Sequence, residues 1–422
     1  MQMRRAVTGR RLGPPASIVG CAALAAVSLA FGLHGASEPL RTDFSALLTA
    51  GRLAPAHLSM LYSATAQMQT QAAIIGHPAG GLNAFFGPPA EALLAAPLTA
   101  LPAHVSFAAF AALSGLAGVV AAFVLVRTLG LHGVMARTAV ALSAFSLAAA
   151  WNYWLGQTDP LLLLAAACAL AMLVRGHRFS AGLLLAVLFV KPQVIWLLPV
   201  VLLCARQWRM LAGLLLGAAG WALSSVVLTG AHGLTQWGSL MLQFGPRLGT
   251  SVGVPGLVEL VTGHSGLIVA IACIPVVAVA SWMALLNRDV VEVTAAGITL
   301  SAVTAPHLFP YDLVLLAVPV AVVASRAPAM AVAAALGLNL AALIDIVAFP
   351  DRAVVETAAL LLVVIAALTR VAGTARRSHG GTAATPAYTW PEHEQRMGGM
   401  APRIRPGRAL EPAARGGAAP AP

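Results

Sequence analysis

Carboxylates are scarce in this chain, and one of them directly follows the first long apolar segment. Only 14 of the 422 residues are Asp or Glu. Asp43 stands in Arg41-Thr42-Asp43-Phe44, where a carboxylate can accept the proton of a hydroxyl group. A helix N-cap and an ion pair with Arg41 are the alternatives, and both stay open at this point.

A single lysine, Lys191, interrupts an apolar stretch that runs from residue 181 to residue 205. An unpaired ammonium among apolar side chains is costly, so this position indicates an anionic partner. Charge and hydrogen bonds from a lysine can hold a lipid phosphate as a leaving group. The alternatives are a lysine that extends to the surface or one that pairs with a nearby carboxylate.

Polar residues at the ends of other apolar segments are further candidates. His307 can donate to a phosphate oxygen or relay a proton, or it is a capped histidine at the membrane interface. Asp312, close to Tyr311, either caps the next helix or faces a cavity with its neighbour. Gln157 and Asp159 either cap a turn or bind a sugar through hydrogen bonds.

Motifs for a nucleotide-sugar donor or a catalytic metal are missing from the sequence. It contains no Asp-x-Asp, no His-x-x-x-His with a nearby carboxylate, and no glycine-rich phosphate loop after a strand. We therefore expect no nucleotide-sugar donor, no cofactor and no metal.

Composition requires that these residues be positioned by a membrane domain. Apolar residues make up 59% of the chain and charged residues 9%, against about a quarter charged in a soluble domain. The net charge of +11 comes from arginine clusters between apolar runs, which indicates membrane topology and no nucleic-acid partner. Trp151, Tyr153 and Trp154 are typical of an interfacial aromatic belt, with stacking on a sugar as the alternative.

The apolar runs predict an all-α polytopic membrane protein of about 10–12 transmembrane helices. We expect helices near 16–33, 104–126, 138–155, 160–174, 210–229, 265–286, 291–305, 311–325, 328–347 and 354–370. The positive-inside rule places both termini in the cytoplasm of a plasma (inner) membrane protein. A cleaved signal peptide within residues 1–35 is the alternative for the first segment.

Lys191 and the long polar segments predict a re-entrant helical pair and the division of the chain into domains and loops. Because arginines flank residues 181–205 on both sides, we expect a re-entrant helical pair with Lys191-Pro192 at its deep tip. The predicted divisions are a cytoplasmic N-terminus (1–15), a transmembrane domain (16–371) with outer loops at 34–103 and 230–264, and a disordered cytoplasmic tail (372–422). The two outer loops are expected to carry the function.

An ordered set of motifs in this framework resembles glycosyltransferase family 87. The set comprises Asp43-Phe44, Ala50-Gly51-Arg52, Leu61-Tyr62, Gln67, Phe86-Gly87-Pro88-Pro89, Gly156-Gln157-Thr158-Asp159, Lys191-Pro192-Gln193 and Pro306-His307-Leu308 followed by Tyr311-Asp312. The resemblance covers roughly residues 38–325. The family's usual Tyr-Pro-Pro appears here as Phe86-Gly87-Pro88-Pro89, and its frequent Tyr-Asp is Tyr62-Ser63.

The resemblance implies a GT-C-like bundle and a metal-independent, inverting hexosyltransferase. It implies transfer of mannose from a polyprenyl-phosphate-sugar donor to a glycolipid or glycan acceptor at the outer membrane face. By the same resemblance Asp43 is the general base and His307 a cavity residue near the donor phosphate or the acceptor. We further expect Lys191, Arg52, Gln157, Tyr311 and Asp312 to bind the donor phosphate or the substrate.

The main alternative is a lipid or solute transporter or flippase, in which broken helices and a buried lysine also occur. For a transporter we would expect two halves of the sequence with apolar segments interrupted at matching positions. Lys-Pro occurs once and the large polar loop follows only the first span, which favours an enzyme. A ligase-like or purely structural membrane protein is a third possibility.

Overall fold

The apolar runs fold as helices in the computed structural model, which describes residues 14–39, 42–75, 81–244, 251–263, 266–286, 288–348, 357 and 359. No strand occurs within these ranges. Among the described residues, five helices are long and apolar enough to cross a membrane, and six shorter apolar helices have 10–17 residues. The predicted all-α polytopic membrane fold is therefore confirmed, whereas the count of about 10–12 spans stays a prediction.

The helix bounds follow the predicted apolar runs closely. In chain order they are α1 (Pro14–Ser37), α2 (Phe44–His57), α3 (Ala64–Ile75), α4 (Pro89–Ala95), α5 (Ala103–Leu129), α6 (Val134–Ala144), α7 (Leu147–Leu155), α8 (Asp159–Val174), α9 (Arg178–Leu185), α10 (Leu198–Cys204), α11 (Trp208–Phe244), α12 (Val254–Thr262), α13 (Gly266–Leu285), α14 (Val290–Thr304), α15 (Ala317–Ala324) and α16 (Pro328–Ala348). Short 3₁₀ segments cover Leu58–Met60, Ala96–Ala100, Ala186–Val190, Pro192–Val194 and Pro310–Leu316. Most of the predicted helix at 354–370, and the tail from 372, lie outside the described residues.

Two predicted helices differ in detail from the structure. The run at 138–155 is divided at Phe145, and α7 restarts where Ser146 Oγ accepts a hydrogen bond from Ala149 N at 3.1 Å. The run at 311–325 begins as 3₁₀ helix. The break at Phe145 leaves two helix ends, which carry free backbone polar groups, next to the buried residues Ala144 and Ser146.

The stretch around Lys191 forms the predicted helical hairpin. Gly182 of α9 lies against Met210, and Ala186 lies against Gly217, so α9 and the start of α11 run side by side in the same direction. The intervening α10 must therefore return, which puts both ends of the hairpin on one side of the bundle. Lys191 stands at the tip, between the 3₁₀ segments Ala186–Val190 and Pro192–Val194.

The predicted outer loops are largely helical. α11 is kinked at Gly230, whose φ of 72° and ψ of 173° are not helical, so the predicted helix near 210–229 is followed by a second helical part that ends at Phe244. We call residues 231–244 the α11 arm. Its apolar residues Leu234, Trp237, Met241 and Phe244 recur at helical spacing, but the glycines of this segment suggested a loop.

The first outer loop has an apolar core of its own. Residues of α2, α3 and α4 pack with the start of α5 and with Leu240 of the arm, around the fully buried Phe44 and Leu61. A second, larger core holds the other helices together. The loop is therefore a packed layer at one end of the bundle.

Candidate active site

A cavity of about 1030 Å³ opens between this layer and the helix ends beneath it. Its polar side chains include Asp43, Glu91, Gln157, Lys191 and His307, and its apolar wall comes from Phe31, Trp151, Trp154, Met241 and Phe244. A pocket of this size, mostly apolar with a few convergent polar groups, is typical of a binding site for an organic ligand.

Asp43 precedes α2, but its side chain does not cap that helix. The carboxylate instead accepts a hydrogen bond from Gln157 Nε2, with 2.6 Å between Nε2 and Oδ2. Burial raises the pKa of Asp43, although the hydrogen bond from Gln157 and the charge of Lys191 act in the opposite direction. Arg41, the alternative ion-pair partner, lies outside the described residues.

Lys191 donates to three oxygens. Nζ lies 2.7 Å from Asp159 Oδ2, 2.9 Å from Gln157 Oε1 and 3.1 Å from Asp312 Oδ1. An ammonium group has three donors, so these contacts engage all of them. Lys191 thus lies in the cavity wall and pairs with carboxylates, one of the alternatives for this residue, whereas its binding to a donor phosphate stays a prediction.

Asp312 caps the turn and binds Lys191, but its side chain is buried and does not line the cavity. Its Oδ2 accepts from Phe309 N at 2.9 Å, which caps the 3₁₀ turn, while Oδ1 binds Lys191. The ring centroid of Tyr311 lies 4.6 Å from Lys191 Nζ, a cation–π distance. Asn152 Nδ2 donates to Tyr311 O at 2.9 Å and so ties this turn to α7.

His307 lines the cavity on the loop between α14 and the 3₁₀ turn. The loop is held by Ser251 and Val252, because Leu308 N donates to Ser251 Oγ and Val252 N donates to Leu308 O, both at 2.6 Å. Burial lowers the pKa of His307, with the nearby Asp312 acting against that shift. The imidazole is therefore neutral near pH 7 and can donate one hydrogen bond.

Of the two predicted site residues that do not line the cavity, Asp312 still binds the cavity residue Lys191, whereas Arg52 lies away from it. Its side chain is exposed and reaches Thr99 O at 3.5 Å. The preceding Gly51 packs so closely on α4 that an added Cβ would lie 2.9 Å from Ala95 C. This packing turns the next residue of α2 toward the outside, which is why Arg52 cannot face the cavity.

Two buried glutamines hold the segment that covers Asp43. Gln67 exchanges hydrogen bonds with the backbone of Phe85, at 2.9 and 3.1 Å, and Gln71 does the same with Asn83, at 3.0 Å for both bonds. They lie one turn apart on α3, so their amides pair with the extended chain as a neighbouring strand would. The Asn83 side chain then donates to Thr42 O at 3.2 Å, which fixes the start of α2.

Glu91 is a cavity residue that the sequence argument missed. It stands on α4 directly after Pro88-Pro89-Ala90, and its carboxylate lies where a side chain on Gly87 would have to be. Burial raises the pKa of Glu91 to about 7, while the charge of Lys191 and a hydrogen bond with Thr158 lower it. Glu91, like Asp43, is one of only 14 acidic residues in the chain, so the scarcity of carboxylates could have identified it as well.

Aromatic side chains form the wall opposite the polar groups. Trp151 and Trp154 line the cavity with ring centroids 4.9 Å apart, and Phe31 lies 5.6 Å from Trp154. Tyr153, by contrast, is buried and donates to Ala144 O at 2.8 Å, so the belt interpretation is wrong for this residue. Trp237 and Asp345 also line the cavity, and both were missed.

A model of glycosyltransferase family 87 matches residues 85–310, more than half of the chain. The matched range contains Gln157, Lys191 and His307, whereas Asp43 precedes it. Neither a curated protein nor a solved structure gives a match, so the GT-C-like arrangement stays a prediction. The chain belongs to glycosyltransferase family 87 and is therefore an integral membrane glycosyltransferase.

Proposed function

We propose that the protein transfers a hexose, mannose by the family resemblance, from a polyprenyl-phosphate-sugar donor to a lipid or glycan acceptor. The reaction takes place at the outer face of the plasma membrane, inverts the anomeric centre and needs no metal. The family assignment decides against the transporter alternative. The observation that carries the proposal is the half-buried Asp43 carboxylate, which does not cap its own helix and lies at a large cavity with one polar and one apolar side.

Asp43 is proposed as the general base. Its carboxylate accepts no hydrogen bond from its own helix, and burial raises its pKa. A base with a raised pKa takes up a proton more readily near neutral pH. Oxygen of the acceptor hydroxyl bonds to the anomeric carbon, the hydroxyl proton passes to Asp43, and the electron pair of the breaking carbon–oxygen bond leaves with the donor phosphate.

His307 and Lys191 are proposed to act on the phosphate side. Neutral His307 donates a hydrogen bond to a phosphate or acceptor oxygen. Since the three N–H groups of Lys191 are engaged, its contribution to the leaving phosphate is its charge rather than a direct hydrogen bond. The apolar wall, with Phe31 and Phe244, suits the first prenyl units of the donor.

The test is transfer of radiolabelled mannose from synthetic polyprenyl-phosphate-mannose by membranes that contain the protein. Asp43→Asn keeps the hydrogen-bond acceptor for Gln157 but removes the base, and should lower kcat by about 100-fold to 10,000-fold. Asp289→Asn is the matched control, because Asp289 also precedes a helix but caps it, accepting from Val291 N at 2.8 Å. This control should keep wild-type activity.

Two outcomes would contradict the proposal at different levels. Wild-type protein that transfers no sugar from a panel of polyprenyl-phosphate donors to membrane acceptors would overturn the donor class. An Asp43→Asn variant that keeps the wild-type rate would leave the donor class intact and remove the base assignment.

A further inference from the structure

Gln157 joins two groups of opposite charge in the cavity. Its Nε2 donates to Asp43 Oδ2 at 2.6 Å, and its Oε1 accepts from Lys191 Nζ at 2.9 Å. A carboxylate only accepts and an ammonium only donates, so one orientation of the amide satisfies both partners. The side chain is thereby held at both ends.

The backbone of Gln157 is fixed as tightly as its side chain. Gly156 ends α7 in the left-handed conformation, φ 68° and ψ 48°, and the N–H groups of Gly156 and Gln157 both donate to Asn152 O at 2.9 and 3.0 Å. A Cβ on Gly156 would lie 2.7 Å from the Cβ of Phe44, the residue after Asp43. The turn that carries Gln157 therefore packs directly on the start of α2.

Lys191 supplies the fixed point at the other end of the amide. Its remaining two N–H groups bind Asp159, on the first turn of α8, and Asp312, on the 3₁₀ turn, and both carboxylates are fully buried. Asp159 and Asp312 thus hold Lys191, Lys191 holds the Gln157 amide, and that amide holds the carboxylate of the proposed base, Asp43. Both contacts of the amide are therefore made to groups that the surrounding helices hold in place.

We infer that Gln157 is a positioning residue, which orients the Asp43 carboxylate toward the acceptor by anchoring it to Lys191. The inference rests on the proposed function. It differs from the expectation that Gln157 contacts the donor or the sugar.

The pH dependence of transfer distinguishes positioning from a merely structural role. The groups that face Asp43 are Lys191 from the hairpin, Asp312 and Tyr311 from the 3₁₀ turn, and Gln157 and Asn83 as hydrogen-bond donors. Glu91 and His307 line the same cavity. The Gln157 hydrogen bond favours the ionised carboxylate, so its loss should raise the pKa of Asp43 further and move the acid limb of the kcat profile to higher pH.

Two variants make the test. Gln157→Met keeps the length of the side chain but removes its donor, and should lower kcat by about 100-fold with little change in KM, because a misplaced base loses its alignment. Gln157→Glu places a like charge beside Asp43 and should move the acid limb to a still higher pH than Gln157→Met does. Both are measured in membranes, with polyprenyl-phosphate-mannose as donor and with protein amount equalised.

Gln207→Glu is the matched control, since Gln207 lies at the opposite end of the hairpin with Arg178 and Arg288 as its partners. It should keep the wild-type acid limb. A raised KM with unchanged kcat in Gln157→Met would overturn the inference in favour of substrate binding. If the wild-type protein is active, an acid limb that stays unchanged in both Gln157 variants would also overturn the inference. A wild-type protein without transfer activity would instead contradict the proposed function.

Discussion

Lys191 shows how one basic side chain determines the behaviour of several acidic ones. It pairs directly with Asp159 and Asp312, while Asp43 and Glu91 feel its charge from the same cavity. Burial is the main cause that raises the pKa of Asp43 and of Glu91, and the charges of Asp312 and Asp159, respectively, add to it while the charge of Lys191 opposes it.

Loss of Lys191 should therefore destabilise the protein as well as inactivate it. Lys191→Met leaves two buried carboxylates without their cation, which costs about 3 to 5 kcal/mol of folding free energy. The variant Lys191→Met/Asp159→Asn/Asp312→Asn should recover much of that loss. Thermal unfolding of the purified protein in detergent measures both effects, with exposed Arg52→Met as a control that changes stability by less than about 0.5 kcal/mol. An unchanged unfolding temperature in Lys191→Met would speak for a phosphate-binding lysine without a structural role.

The helical hairpin shows at the scale of elements why the lysine reaches the cavity. Apolar helices of 10–17 residues extend about 15 to 25 Å, less than the roughly 30 Å of a bilayer core. The hairpin tip and the starts of α8 and of the 3₁₀ turn therefore end at membrane depth, where Lys191, Asp159 and Asp312 meet.

The contact of α9 with α11 is predicted to depend on small residues. An added Cβ on Gly213 would lie 2.1 Å from Phe179 O, whereas one on Gly220, further along α11, meets nothing within 4 Å. Gly213→Ala should therefore destabilise the protein by about 1 to 3 kcal/mol through overpacking. Gly220→Ala should be neutral or stabilising by up to about 1 kcal/mol, because alanine favours the helix. Thermal unfolding in detergent compares the two, and equal effects would contradict the close contact.

At the scale of the whole molecule, Asp159 and Lys191 lie at one end of the bundle and the arginines Arg175 and Arg178 at the other. α8 carries Asp159 at one end and is followed by Arg175 at the other, and the hairpin has Lys191 at its tip and Arg178 at its base. Gln207, bonded to Arg178 and to the backbone of Arg288, joins the arginine-bearing ends. The positive-inside rule then predicts that the cavity opens on the outer side.

Cysteine labelling in intact cells should reveal this orientation. His57, in the outer layer, and His132, between α5 and α6, are both exposed histidines. With the four native cysteines replaced, His57→Cys should react with a membrane-impermeant maleimide, whereas His132→Cys should react only after permeabilisation. The reverse pattern would place the cavity in the cytoplasm and contradict an outer-face reaction.

The sequence alone determined the membrane fold, most helix positions and the family, because apolar runs and arginine clusters are local signals that the bilayer imposes directly. Scarcity of charge also singled out Asp43 and Lys191 before any contact was known. Which groups meet was decided by tertiary structure. The positions of these residues in the sequence do not show that the Gln157 amide joins Asp43 to Lys191. They also do not show that Lys191 pairs with Asp159 and Asp312. Glu91 and the α11 arm were missed, and Arg52 proved to be exposed, because the direction of a side chain depends on how helices pack against one another.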